Sequence, residues 1–248
     1  IISSNRQSLD AMLLASTNRK AKLVSDRLEG NVAIGHVRYS TSGDTALRNV
    51  QPLFAEFKFG GLAVCHNGNL TNSNEIAHKL VTENRRHVNT TSDSEVLLNH
   101  LAVQLDTISN QMSIGGEPFL NVDSFFEAIK NVNQTVRGGY ACVGLVNGYG
   151  LFAFRDPHGI RPLIYGKREY DGGTEWVVAS ESVAITALGF EVIADVQPGE
   201  AIFISTSGHL FTKQCAEKKP FTPCIFEHVY FARPDSTIDG ISVYQARL

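Results

Sequence analysis

The chain moves between two hydrophobic rhythms. The first thirty residues are polar and mixed, and residues 8–28 read as one or two short helices. From Asn31 the pattern turns apolar. Val32-Ala33-Ile34-Gly35-His36-Val37 reads as a buried strand, with the polar turn 38–44 after it. A second apolar run, Gly61-Leu62-Ala63-Val64-Cys65, reads as another buried strand. It is expected to end in the tight polar turn His66-Asn67-Gly68-Asn69-Leu70, since Asn-Gly is among the strongest turn pairs.

Helical spacing follows. Asn72 with Glu75 three residues on predicts a capped helix to about Thr82. Ser92 with Glu95 repeats the signature, and Val96, Leu97, Leu101 and Val103 continue it. A third helix is predicted over 123–137, with Phe125, Ile129, Val132 and Val136 on one face and Gly138-Gly139 as its stop. The rhythm then shortens to strands. Residues 140–147 and 151–155 flank Gly148-Tyr149-Gly150, and residues 160–166 and 174–179 flank Asp171-Gly172-Gly173. Both patterns predict hairpins. A short helix over 182–188 precedes strand-like runs at 191–196 and 200–205, which meet at Pro198-Gly199. Helices in one run and strands in others, without βαβ alternation, predict a layered α+β fold. Pro220 and Pro223 bracket the expected boundary, with one domain over 1–222 and a connection over 223–248.

Composition narrows the function classes. The 248 residues are 43% hydrophobic and 19% charged, enough for one large core or two small ones. A net charge of -3 gives no electrostatic case for nucleic acid. No apolar stretch approaches the roughly 20 residues of a membrane helix, and no signal peptide opens the chain. Cys65, Cys142, Cys215 and Cys224 form no C-x-x-C pair, which argues against a zinc site and fits a reducing cytosol. The chain begins at Ile1 and ends at Leu248 within an amphipathic segment, so it reads as a piece of something longer.

Three polar turns carry the candidate chemistry. Arg38, with Tyr39 and Thr41 in the same turn, can fork onto a carboxylate or close an internal salt bridge. Asn67 and Gly68 can present a side-chain amide and a backbone N–H together, which suits an oxyanion. Asp93, at a helix start, can cap the helix or pair with an ammonium group. Together they offer a cation for a carboxylate, an anion for an amine and donors for an oxyanion. That set suits a free amino acid attacked at its side-chain carbonyl, and it lacks a nucleophile. Cys65 adjoins His66, but neighbours on a strand point to opposite faces and cannot form a dyad. Cys142 lies mid-strand and Cys215 in a polar loop, and Cys224 has no base nearby. His36 is read as a buried strand residue.

These motifs resemble a known family. Gly35-His36-Val37-Arg38-Tyr39-Ser40-Thr41, then His66-Asn67-Gly68-Asn69-Leu70, then Thr91-Ser92-Asp93-Ser94-Glu95, look like the glutaminase domain of class II glutamine amidotransferases, which are N-terminal-nucleophile hydrolases. Phe154-Arg155-Asp156-Pro157-His158-Gly159-Ile160-Arg161-Pro162-Leu163 and Ala179-Ser180-Glu181-Ser182 are similar to further family segments. Tyr230-Phe231-Ala232-Arg233-Pro234-Asp235-Ser236 and Asp239-Gly240-Ile241-Ser242-Val243-Tyr244 resemble its amidophosphoribosyltransferase branch.

The resemblance implies a four-layer αββα sandwich. It implies that Arg38 binds the glutamine α-carboxylate, with Tyr39 and Thr41 shaping that loop. Asn67 and Gly68 would form the oxyanion hole, and Asp93 would hold the α-ammonium. It implies ammonia release for 5-phosphoribosylamine synthesis, the first committed step of purine synthesis. Glutamine and a phosphoribosyltransferase domain of the same polypeptide are the expected partners, in a cytoplasmic homo-oligomer. No cofactor is expected in this domain, and Mg²⁺ is expected only in the transferase domain. The family nucleophile is an N-terminal cysteine followed by an H-R-G-Q segment; residues 1–27 supply neither, so the chain as written is expected to be inactive alone. A degenerate binding or regulatory module and another class II enzyme are the competing expectations.

Overall fold

In the computed structural model the described residues are 2–3, 30–37, 47–112, 120–170 and 172–248. The expected helices at 8–28 and the turn 38–44 lie outside them. The described elements are β1 (Ile2–Ser3), a 3₁₀ turn (Leu47–Asn49), β2 (Leu53–Phe57), β3 (Gly60–Leu70), α1 (Ser73–Thr82), α2 (Asp93–Gln111), α3 (Val122–Thr135), β4 (Gly138–Val146), β5 (Gly150–Arg155), β6 (Ile164–Tyr170), β7 (Gly173–Ala179), α4 (Ser182–Thr186), β8 (Glu191–Asp195), β9 (Glu200–Ser205), β10 (Leu210–Gln214), a π-helical turn (Glu227–Phe231), β11 (Thr237–Ile238), β12 (Ile241–Ser242) and α5 (Val243–Ala246).

Side-chain alternation along the strands builds the layers. One sheet runs β10-β9-β5-β4-β3-β2 and a second runs β1-β7-β6-β8. On one face of the larger sheet, Leu62, Val64, Cys142, Phe152 and Phe154 pack under Leu97, Leu101, Phe125 and Ile129 of α2 and α3. On its other face, Ala141, Leu151, Ala153 and Ile202 meet Val178 of the smaller sheet and Leu163 just before β6. That sheet's outer face, with Ile164 and Val177, is covered by Ile185 of α4. The order is helix, sheet, sheet, helix: the expected α+β, αββα architecture.

Several local expectations are corrected. Residues 32–37 are not a buried strand, and His36 is only half-buried outside any strand. Val32 and Ile34 alone pack on the inter-sheet core, while Val37 is 97% exposed. An unbroken apolar run suggested two buried faces, but only alternate positions reach the core. The strand expected from residue 160 begins at Ile164, because residues 156–161 close a carboxylate-centred loop. Asn72 starts α1 without a side-chain cap and instead bonds Thr135 O and Arg137 N. Helix α3 is capped by Asn121 with Ser124, a reciprocal pair the pattern did not suggest. The edge strands β2 and β10 escaped notice because they alternate with exposed Phe54 and polar Lys213 and Gln214.

Candidate functional site

The His66–Leu70 motif is not a turn. It is the C-terminal half of β3, paired residue by residue with β4 from Cys65↔Val143 to Leu70↔Gly138. Asn-Gly serves here as a point of close approach. Gly68 has φ +146°, and a Cβ there would lie 2.0 Å from the Gly139 carbonyl oxygen. Gly138, at φ +128°, would likewise collide with Asn69 O at 2.2 Å. Glycines on both strands let the ladder run on where side chains would force a turn.

Alternation then sorts the motif. His66 faces the helices, opposite Cys142 across the ladder. Asn67 takes the inter-sheet side and is half-buried, while Gly68 is exposed. The Asn67 Oδ1 accepts a hydrogen bond of 2.7 Å from Arg161 Nη2. A guanidinium only donates, so the amide oxygen must face Arg161 and the Nδ2 donors face away.

Asp93 meets the same strand end from α2. It is not the cap; Ser92 is, accepting from Ser94 N at 3.3 Å. Glu95 does not return to Ser92 but takes Asn89 N and Thr90 N, closing the loop before the helix. Asp93 Oδ2 accepts the Leu70 N–H at 2.9 Å. Its Oδ1 lies 3.8 Å from His66 Nδ1, and its side chain is 23% exposed. The carboxylate therefore grips the end of β3 at Leu70 and keeps part of its surface toward solvent.

Buried polar groups hold this junction. Gln51 Oε1 accepts the His66 N–H at 2.6 Å, and Gln51 Nε2 donates to Ser94 Oγ at 3.0 Å. The same Ser94 hydroxyl shares a hydrogen bond with His66 Nδ1, 3.1 Å away. Burial drives the His66 imidazole down to about 4, Asp93 opposing and His36 and Arg161 assisting. His66 is thus neutral near pH 7 and acts as a strut between β3 and α2.

Arg161 sits on a loop wound around Asp156. That buried carboxylate accepts the N–H groups of Tyr140, His158, Ile160 and Arg161. Arg155, 1% exposed, donates to the Arg161, Val196 and Gly159 carbonyls and forks onto both Asp239 oxygens at 2.7 and 2.8 Å.

Asn67 and Gly68 lie on the end of β3 whose Leu70 N–H Asp93 accepts; Arg38, Tyr39 and Thr41 lie outside the described residues. Sequence reasoning passed over Gln51, His66, Ser94 and Arg161 as parts of this region. Ring polarity beside an apolar strand was the available signal for His66, and Arg161 within a Gly/Pro-rich loop was the signal for the last. Three of the cysteines offer no thiolate: burial pushes Cys65 and Cys215 up to about 12 and Cys142 well above its usual range. Cys215 lies in the loop just after β10, but it is buried against the main core. Among the described residues, no group of three or more His, Cys, Asp or Glu is placed to hold a metal, and no helix is long and apolar enough to cross a membrane.

Comparison with known proteins bears on this geometry. A family model described as a glutamine amidotransferase domain matches residues 36–187. The chain is 52% identical over 239 residues to an amidophosphoribosyltransferase of Pasteurella multocida, covering 93% of this chain and 46% of that protein. It is also 52% identical over 240 residues to the Escherichia coli amidophosphoribosyltransferase, with the same coverage of each. A solved glutamine phosphoribosylpyrophosphate amidotransferase from B. subtilis, complexed with ADP and GMP, superposes with a TM-score of 0.71 at 33% identity. That match covers 90% of this chain and 43% of the solved one. The chain spans about half the length of these curated relatives.

Proposed function

The chain belongs to the glutamine amidotransferase domain family, and on that premise we propose that it is the glutaminase part of an amidophosphoribosyltransferase. The observation that carries the reading is at one strand end: Asp93 bonds the N–H of Leu70, on the same stretch of β3 that holds Asn67 and Gly68, at 2.9 Å.

Asn67, through Nδ2, and Gly68, through its N–H, hold the oxyanion that forms when a thiolate attacks the glutamine amide. Asp93 holds the α-ammonium. Arg38 takes the α-carboxylate, with Tyr39 and Thr41 shaping its loop. The attacking thiol is the family's terminal cysteine rather than Cys65, Cys142 or Cys215, whose burial disfavours their thiolates. Attack forms a C–S bond and expels ammonia, and water then cleaves the thioester to glutamate. The ammonia serves a phosphoribosyltransferase domain entered through residues 223–248, where Mg²⁺ accompanies the pyrophosphate. A cytosolic setting suits this supply of free ammonia to a purine precursor.

Asp93→Ala in the full-length protein tests the assignment. KM for glutamine is expected to rise steeply while ammonia-dependent synthesis survives. Equal loss of both activities would make Asp93 structural and remove the carboxylate from the site. The upstream reading frame is a second check: an opening Met-Cys-Gly is expected, and a native start near Ile1 would overturn the enzymatic reading.

A further inference from the structure

We propose that Arg161 is a positioning residue of the oxyanion hole and that the π-helical turn Glu227–Phe231 braces it. The proposal rests on the assignment of Asn67 above and adds to it a part that neither motif nor family match supplies.

A carboxamide is nearly symmetric in shape and opposite in polarity at its two ends. Rotated by half a turn, Asn67 would aim a carbonyl at the developing oxyanion and repel it. Something must select the orientation. The Arg161 guanidinium does so because it can only donate: its Nη2 takes Asn67 Oδ1 at 2.7 Å, which leaves Nδ2 for the substrate. Gly68 next to it has no side chain to help, and His66 points to the other face of the sheet.

The guanidinium is itself held from the C-terminal segment. Glu227 Oε1 lies 2.8 Å from the same Nη2, with side-chain exposures of 13% for Arg161 and 7% for Glu227. The Phe231 ring covers it, with the guanidinium carbon 5.3 Å from the ring centroid. The Arg161 backbone is fixed at both ends, its N–H on Asp156 and its carbonyl under Arg155. The orientation of Asn67 is therefore set across 94 residues of sequence by one arginine, and through it by a turn that belongs to the segment leading out of the domain. A shift of that turn would release the arginine and with it the amide.

The experiment is a double-mutant cycle on the full-length protein, reading glutamine hydrolysis and thermal unfolding. Arg161→Gln is expected to lower kcat roughly 10–100-fold, with KM for glutamine changed by less than about threefold. In an Asn67→Ala background the same change is expected to cost almost nothing further, since no amide remains to orient. Arg161→Lys, still a pure donor, is expected to recover part of the kcat. Glu227→Gln, which keeps the shape and removes the charge, is expected to lower kcat less than Arg161→Gln, with the same non-additivity. If Arg161→Gln does not fold, the Glu227→Gln and Arg161→Lys arms carry the test on their own. Unchanged kcat, or losses that add fully to Asn67→Ala, would overturn the proposal. An Asn67→Ala protein with normal kcat would instead overturn the oxyanion assignment itself, so the two failures are distinct.

Discussion

At the scale of single residues, the site uses groups whose charge is decided by burial. His66 and His100 are both driven down to about 4, chiefly by loss of water. Asp93 pulls His66 up while His36 and Arg161 push it down, and Lys79 lowers His100. In the unfolded chain both rings regain the ordinary value near 6.5. Between about 4 and 6.5 the unfolded state then binds more protons than the folded one, so stability falls as pH drops through that window. Urea midpoints measured from pH 7 to pH 4 should decline, and His100→Gln should flatten the decline. A flat wild-type profile would mean that neither ring is neutral in the fold. Asn67 contributes differently, through a dipole. Asn67→Ala should lower glutaminase kcat by roughly 10²–10³, the usual size for one oxyanion donor. Steady-state kinetics that show kcat unmoved would take Asn67 out of that role.

At the scale of elements, the sequence was easiest to read where glycine marked a hairpin. Gly148 lies between β4 and β5 and Gly172 between β6 and β7, as the spacing of the strands implies. Helices α2 and α3 follow their apolar stripes. Asn67-Gly68 misled for a physical reason: the same permissive φ that makes a turn also lets two strands touch. The choice between them depends on Gly138 and Gly139, seventy residues away and invisible to a local reading. Of the residues named for the oxyanion and the ammonium, Asn67 and Gly68 share the strand end that Asp93 grips through Leu70 N. The struts that hold this strand end to α2, Gln51, His66 and Ser94, come from a bend, a strand and a helix and have no shared motif. Gly68→Ala tests the close approach. A Cβ 2.0 Å from the Gly139 oxygen cannot be absorbed by a side chain. The substitution should cost about 2–4 kcal/mol and reduce turnover together, seen in parallel melts and assays. Gly148→Ala is the control at a positive φ with open space around it, and it should cost less. Equal costs at the two positions would mean that backbone conformation, not strand contact, is what Gly68 supplies.

At the scale of the molecule, the chain after Pro220 is fastened to the sandwich by charge rather than by a core of its own. Its apolar cluster contains only Ala232, Ile238 and Val243. The ties are polar: Asp239 on Arg155, Glu227 on Arg161, and Arg233 N and Ser236 Oγ on Glu181. Arg155 is the deepest of these, and it also closes the loop that carries Arg161, so one buried cation links the segment to the site. Asp239 opens a two-residue turn with Gly240, both at positive φ, between β11 and β12. Asp239→Asn suits that turn equally well, because asparagine accepts the same backbone conformation. The substitution therefore isolates the charge. It leaves Arg155 buried with three carbonyls and half a partner, and should cost about 2–3 kcal/mol in denaturant unfolding. Because the loop shifts with Arg155, glutamine turnover should fall in the same variant while the helical signal at neutral pH is retained. Full stability in Asp239→Asn would show that the segment is held by its hydrogen bonds to Glu181 and not by the buried pair.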